Sequence, residues 1–96
     1  MVNNIASMDT VYYDERPADE GDECQVKITG KTIEIGYKED KEYIIYTGLD
    51  EGNGHFSLKC PEKRAKATLH RSPNSNYLEG FWVEEGEQGF WRITLK

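Results

Sequence analysis

The chain has 96 residues, a formal net charge of -6 and a hydrophobic content of 36%. This length suits one folded domain and leaves no room for a second. An acidic segment precedes a body of balanced charge, and phosphate binding requires a basic face, so we expect no nucleic-acid partner. The one local basic cluster is interpreted as solvated surface: Lys59, Lys63, Arg64, Lys66 and Arg71. The N-terminal segment has neither a cationic start nor an apolar run, so we expect no membrane partner and a cytoplasmic location.

Residues 1–23 form an acidic N-terminal segment. Seven acidic residues stand there against Arg16 alone, whereas the acids and bases of the remaining chain balance. Residues 14–23 are dominated by charge and have little apolar surface with which to offset the entropy of ordering. We therefore expect a partly disordered arm over 1–23, with residues 10–13 as the one segment that could form a strand.

Residues 24–96 alternate between short runs suited to strands and turn signals. The turn signals fall at 30–31, 39–42, 52–54, 61–64, 71–76 and 86–87. This spacing predicts an all-β, antiparallel up-and-down meander of seven or eight short strands. Because no amphipathic helix is available to cover an apolar sheet face, we expect the sheet to close as a small barrel. The alternatives are a β-sandwich and a barrel of five or six strands.

Turn lengths predict which residues face each other across neighbouring strands. A two-residue turn at 30–31 places Val26 opposite Ile35 on an apolar face. The same procedure along the chain predicts these further pairs: Phe56 with Leu69, His55 with His70, Ala65 with Trp82, and Trp82 with Trp91. The paired strands then share one apolar face, which is the expected barrel interior.

The last predicted hairpin carries a family resemblance. Residues 78–93 read LEGFWVEEGEQGFWRI. This run resembles the Leu-x-Gly-x-Trp, turn, Gly-x-Trp hairpins of calycin-like barrels of the avidin and lipocalin type. Members of that superfamily commonly hold a small molecule inside the barrel, and the resemblance implies the same here. The short helix and the N-terminal Gly-x-Trp of lipocalins have no counterpart, so no pocket residues are transferred.

The predicted interior brings aromatic side chains against small ones. Tyr37, Tyr46, Trp82 and Trp91 face a wall thinned by residues such as Ala65. Aromatic walls beside small residues can leave a slot for a flat apolar or aromatic ligand, which tyrosine hydroxyls would orient. We therefore expect a small-molecule binding protein, although in a barrel of about eight strands the same side chains can simply fill the core.

A second candidate surface lies on the outer face of the last hairpin. The predicted register leaves four apolar side chains outside: Tyr77, Phe81, Val83 and Phe90. Contiguous exposed apolar groups mark interfaces with a protein partner or a second copy of the chain. The alternative function is thus a protein-interaction module or inhibitor that uses this face and the acidic arm. Equally, residues 11–13 of the same chain could fold over these four apolar side chains and cover them.

The histidines and cysteines are the remaining candidates for a site. His55 and His70 face each other in the predicted register, with Glu51 nearby, and this set could bind zinc. Polar residues near a barrel rim need no function, so we predict no metal site. Cys24 and Cys60 match no zinc spacing and are expected to be unpaired, small apolar residues.

Motifs of enzymes are missing from the sequence. It has neither a nucleophile elbow nor a phosphate-binding glycine loop, so we predict a protein without catalytic activity and without a cofactor. The carboxylates of Glu84 and Glu85 lie beside the last turn and are expected to be solvated.

Overall fold

The protein is described by a computed structural model that covers the backbone of residues 2–96 and the side chains of residues 4–96. Eight strands account for most of these described residues, with one short 3-10 helix at Pro61–Lys63. In chain order the strands are β1 (Val2–Tyr12), β2 (Asp19–Thr29), β3 (Thr32–Glu39), β4 (Glu42–Gly52), β5 (His55–Cys60), β6 (Ala65–His70), β7 (Tyr77–Glu84) and β8 (Glu87–Leu95). No helix in this described part of the chain has the length and apolar character needed to cross a bilayer.

The eight strands close into a barrel. Each strand pairs antiparallel with the next, and β1 pairs with both β2 and β8. An even number of strands lets the first and last run antiparallel, so an up-and-down meander can close with ordinary hairpin geometry. The predicted all-β, up-and-down closed barrel is therefore confirmed, and the sandwich and the smaller barrel are wrong.

Alternating side chains build the barrel interior. In β6, Ala65, Ala67 and Leu69 are buried and the residues between them are exposed. The inward positions of all eight strands join one hydrophobic cluster, in which Val26, Ile35, Tyr46, Leu78 and Ile93 are completely buried. Successive side chains of a strand point to opposite faces of the sheet, so burial alternates when one face is packed and the other is exposed to solvent.

Several predicted registers are confirmed. Val26 faces Ile35, and Phe56 faces Leu69. Both hairpins have tight connections, and a tight connection leaves the flanking strands little freedom to slide.

The registers of β7 against its two neighbours were predicted wrongly. Trp82 lies opposite Ala67 and Gly89, not opposite Ala65 and Trp91. The last turn uses Glu85 and Gly86 at φ 48° and 85°, so it begins one residue earlier than the predicted 86–87 turn. Positive φ at both central residues is typical of a type I′ turn, whose twist matches that of the strands.

The prediction of an arm outside the barrel was also wrong. Residues 2–12 form β1, which is much longer than the predicted strand at 10–13, and residues 19–23 begin β2. Ala6 and Met8 point inward and are buried. The barrel therefore begins at Val2 and not at residue 24. Residues 19–23 remain exposed, and their order comes from backbone pairing with β1 rather than from burial.

The two cysteines behave as small apolar residues. Cys24 and Cys60 are both unpaired and buried. Burial raises the pKa of the Cys24 thiol to about 12, because the thiolate would be poorly solvated. This agrees with the prediction that neither residue forms a disulfide.

Candidate functional site

One end of the barrel carries a cleft lined by aromatic and charged side chains. We call this end the mouth; it is where β1–β2, β3–β4, β5–β6 and β7–β8 are connected. The mouth holds a cleft with a cavity volume of about 180 Å³. This mouth cleft is lined by Met8, Thr10, Tyr12, Tyr37 and Trp82, and by the charged residues Arg16, Asp19, Asp22, Lys38, Glu39, Glu84 and Glu87.

The four residues predicted to bind a ligand form one aromatic cluster. Trp91 is central: its ring centroid lies 4.9 Å from that of Tyr46, 6.0 Å from Tyr37 and 6.3 Å from Trp82. Tyr37 and Trp82 line the mouth cleft, although Trp82 is only 5% exposed and belongs to the same buried core as Tyr46 and Trp91, which are 0% and 3% exposed. The structure thus divides the predicted set into two residues at the opening and two that support them.

Trp82 is packed tightly and keeps one polar atom unsatisfied. Tyr12 meets its ring edge-on, with centroids 5.8 Å apart. A Cβ at Gly89 would overlap both the Val11 carbonyl oxygen and the Trp82 ring, so the glycine makes room for the indole. The buried Trp82 Nε1 has no hydrogen-bond partner among the described residues. A buried donor without an acceptor carries a desolvation cost that the surrounding packing has to offset.

Glu84 is held inside the mouth by Tyr46. The Tyr46 hydroxyl donates a hydrogen bond of 3.0 Å to Glu84 Oε1. Burial raises the pKa of Glu84, although this hydrogen bond opposes the rise. The expectation that both turn carboxylates are solvated was wrong for Glu84, which is half-buried, while Glu85 is exposed. The inward position of Glu84 follows from the same alternation that buries Trp82.

A β-bulge shapes the side of the mouth formed by β1 and β2. Their register shifts between Met8 and Thr10, where Gly21 adopts φ 73° and donates its N–H to Asp9 Oδ1 at 2.9 Å. Beyond the bulge, the Tyr12 hydroxyl donates to Asp19 Oδ2 at 2.5 Å. Burial, and then this bond, raise the pKa of Tyr12 to about 12. Tyr12 is therefore a neutral donor fixed at the cleft wall.

Arg16 reaches over the mouth from the segment between β1 and β2. Its guanidinium carbon lies 4.0 Å from the centroid of the Tyr12 ring, a cation–π contact. The same guanidinium pairs with Asp14 Oδ2 at 2.7 Å and with Glu87 Oε1 at 2.9 Å. All three side chains are about half exposed, and such ion pairs contribute little to stability.

The predicted outer patch is present but partly covered. Phe81 faces Phe90 across β7 and β8, and Phe90 faces Val11 of β1. Tyr13 lies against Phe81 with ring centroids 5.9 Å apart. Phe81 is 38% exposed, whereas Val83 and Phe90 are intermediate. Tyr77 lies at the start of β7, and the guanidinium carbon of Arg92 is 4.3 Å from the centroid of its ring.

The histidine pair is formed as predicted. His55 faces His70 across β5 and β6, and His55 Nε2 lies 4.0 Å from Glu51 Oε1. In the part of the chain that the structure describes, no three His, Cys, Asp or Glu side chains are grouped so that they could hold a metal ion.

Sequence reasoning missed three important residues of the mouth cleft: Tyr12, Arg16 and Glu84. Tyr12 and Glu84 belong to the period-two patterns of their strands, so an extended alternation would have placed both inward. The position of Arg16 depends on the path of the connection from β1 to β2, for which the sequence carries no comparable signal.

Comparisons with known proteins add no family or relative. No protein-family model, no curated protein and no solved structure matches the chain. The functional conclusion therefore rests on the residues that line the mouth cleft and on their contacts.

Proposed function

We propose that this protein is a non-enzymatic, cytoplasmic barrel that binds a small, flat, apolar or aromatic molecule at the mouth cleft. The observation that carries the proposal is the open cleft walled by Trp82, Tyr37 and Tyr12. Aromatic walls with a few fixed polar groups are typical of small-molecule sites. The Tyr12 hydroxyl, which is held by Asp19, and the Glu84 carboxylate, which is held by Tyr46, are fixed polar groups of this kind in the cleft lining.

Packing of the core favours the mouth over the centre of the barrel as the ligand seat. Tyr46 and Trp91 already fill the interior beneath the cleft, so a ligand there would have to displace buried side chains. The cavity volume of about 180 Å³ is smaller than sites for drug-sized molecules, which begin at about 300 Å³. A ligand of one or two rings fits this volume best. The resemblance of residues 78–93 to calycin-like hairpins supports the same function.

The two tryptophans allow a direct test. The chain contains only Trp82 and Trp91, so each single variant reports on one position. We would titrate a panel of one- and two-ring compounds into Trp91→Phe and Trp82→Phe while recording tryptophan emission. Binding at the mouth predicts a saturable change in Trp91→Phe, where the cleft tryptophan remains. Trp82→Phe should show a weaker change and lower affinity, and melting curves would verify that both variants fold.

Two results would contradict the proposal. A panel in which no compound changes the emission or the melting temperature of the unmodified protein would remove the ligand-binding function. A response kept in full by Trp82→Phe and lost in Trp91→Phe would move the ligand to the core, away from the mouth cleft.

A protein-interaction module is the second candidate function. It is favoured by the contact between Tyr13 and Phe81, whose side chains are 58% and 38% exposed. Phe90 lies opposite Phe81 on the neighbouring strand and extends this apolar face. Sedimentation equilibrium at micromolar concentration would test self-association through this face. A mass above that of one chain, reduced by Phe81→Ser and unchanged by Tyr43→Ser on β4, would support it. A monomeric mass for all three proteins would exclude the dimer.

A further inference from the structure

We propose that the mouth cleft selects a small aromatic cation, and that Arg16 occupies the place of that cation when no ligand is bound. This inference rests on the proposed function, because it names the chemical class of ligand for the same cleft. It is carried by two observations: the excess of carboxylates around the aromatic walls, and the guanidinium that already stacks there.

The charges of the mouth cleft are unbalanced. Five carboxylates line it against two cationic side chains, Arg16 and Lys38. Arg16 also forms an ion pair with Asp14, a further carboxylate that does not line the cleft. A concave site with an excess of one sign concentrates ligands of the opposite sign. An anionic ligand would meet repulsion from most of the rim.

The aromatic walls suit a positive group as well as a ring. The faces of tryptophan and tyrosine attract cations, and tryptophan does so most strongly. Trp82, Tyr12 and Tyr37 stand beside the half-buried carboxylate of Glu84. The Glu84 carboxylate accepts a hydrogen bond from the Tyr46 hydroxyl and has no ion-pair partner within 4.0 Å among the described residues. An ammonium group in the cleft would supply the missing charge.

Arg16 shows that this end of the barrel accepts an organic cation. Its guanidinium stacks on Tyr12 at 4.0 Å and pairs with Glu87 at 2.9 Å, both residues of the cleft lining. The side chain is 45% exposed and belongs to a segment outside the strands. It can therefore swing into solvent without disturbing the barrel, which makes it a tethered competitor for an external cation.

Three probes of similar shape test the charge preference: phenethylammonium, 2-phenylethanol and 3-phenylpropionate. They share a phenyl ring and differ in the charge of the tail. We expect phenethylammonium to bind at least about tenfold more tightly than the alcohol, and the carboxylate to bind least. The affinity of the cation should fall as salt is added, because the rim charges are exposed to solvent.

The variant Arg16→Gln tests the competitor role. It removes the charge and leaves a shorter, uncharged polar side chain, so the affinity for phenethylammonium should rise by about threefold to tenfold. Arg92→Gln is the matched control. Arg92 also stacks on a tyrosine, Tyr77, and pairs with Glu79, but it does not line the mouth cleft. Its replacement should leave the affinity unchanged.

The outcomes separate this inference from the proposed function. Equal or tighter binding of the alcohol or the carboxylate would overturn the cation preference and leave a small-molecule site standing. Unchanged or weaker cation binding in Arg16→Gln would overturn the competitor role, as would an equal gain for the alcohol. Failure of the broader ring panel to bind at all is the distinct result that removes the proposed function itself.

Discussion

The two ends of this barrel follow the same alternation of side chains and differ in what the inward positions carry. At the end opposite the mouth, the inward residues are aliphatic or phenyl and buried: Ile33, Phe56, Leu69 and Leu78. At the mouth, the corresponding positions hold Tyr12, Tyr37 and Glu84. The end opposite the mouth is therefore a packed plug that stabilises the fold. The mouth has less apolar packing and instead carries polar and aromatic groups that can contact a ligand.

The largest effect should come from thinning the packed end. Leu78 is completely buried, and Leu78→Ala should lower the free energy of unfolding by about 2–5 kcal/mol, because it removes transfer energy and leaves a cavity. Ile45→Ala, at a position 44% exposed on the outer face of β4, should cost less than about 1 kcal/mol. Urea unfolding of both variants measures the difference. Equal losses would mean that this end is not a plug.

A smaller effect is expected where the mouth is packed most closely. In Gly89→Ala the new methyl group would overlap the Val11 carbonyl oxygen and the Trp82 ring. We expect a loss of about 1–3 kcal/mol, because backbone cannot yield easily. Gly36→Ala is the matched control, since its Cβ would meet the exposed side chain of Tyr43, which can move aside. Thermal unfolding with tryptophan emission as the signal compares them, and an unaffected Gly89→Ala would contradict the close packing.

The smallest effect concerns the pH dependence of stability. The pKa of Glu84 is raised in the folded state, chiefly by burial and also by the nearby carboxylates of Glu39 and Glu85, while Lys63 and the Tyr46 hydroxyl oppose the rise. The folded protein then binds this proton more tightly than the unfolded chain. Its contribution to stability is present at low pH and is lost as the pH rises through the range just above the ordinary pKa of a glutamate.

Glu84→Gln should therefore flatten the stability profile in that range and raise stability at neutral pH by less than about 1 kcal/mol, since an amide oxygen still accepts the Tyr46 hydrogen bond. Glu85→Gln, at the exposed neighbour, should leave the slope unchanged. Urea unfolding between pH 4 and pH 7 gives the slopes. A steeper profile in Glu84→Gln would reverse the assigned direction.

Much of the fold could be predicted because short turns restrict register. The 30–31 turn places Val26 opposite Ile35 with no freedom to slide. At the last hairpin, both Glu85-Gly86 and Gly86-Glu87 are plausible turn pairs, and the choice between them moves the register by two residues. A shift of two keeps every side chain on its face. The burial of Trp82 was therefore predicted correctly while its partners were not.

The error at the N-terminus has a different cause. Composition measures how much apolar surface a segment can bury, and residues 19–23 bury almost none. Backbone hydrogen bonds to β1 do not depend on side-chain polarity, so an acidic segment can extend a strand. In β1 the inward residues are Ala6 and Met8, whereas the apolar Ile5 faces outward and is 57% exposed, so the sequence alternation is irregular. Within residues 3–9, Ile5 is also the only one of the β-branched and aromatic residues that favour strands.

The site was predictable only in part. Tyr37 and Trp82 follow from strand alternation, but alternation alone cannot distinguish a residue at the opening from one in the middle of the barrel, such as Trp91. That distinction depends on strand stagger around the barrel, which is a property of the closed sheet. The position of Arg16 depends on the path of the connection from β1 to β2, which strand alternation does not predict.

The closure of β1 onto β8 also sets the order in which the chain can fold during synthesis. The closing ladder joins Ala6 to Leu95, so the ring stays open until β8 has left the ribosome. Until then the sheet has two free edges, one on β1 and one on the most recently synthesised strand. Each edge exposes unpaired backbone N–H and C=O groups that can pair with other chains. The hazard of aggregation for this protein should thus depend on the rate of translation between β1 and β8, and slower elongation over that stretch should lower its soluble yield.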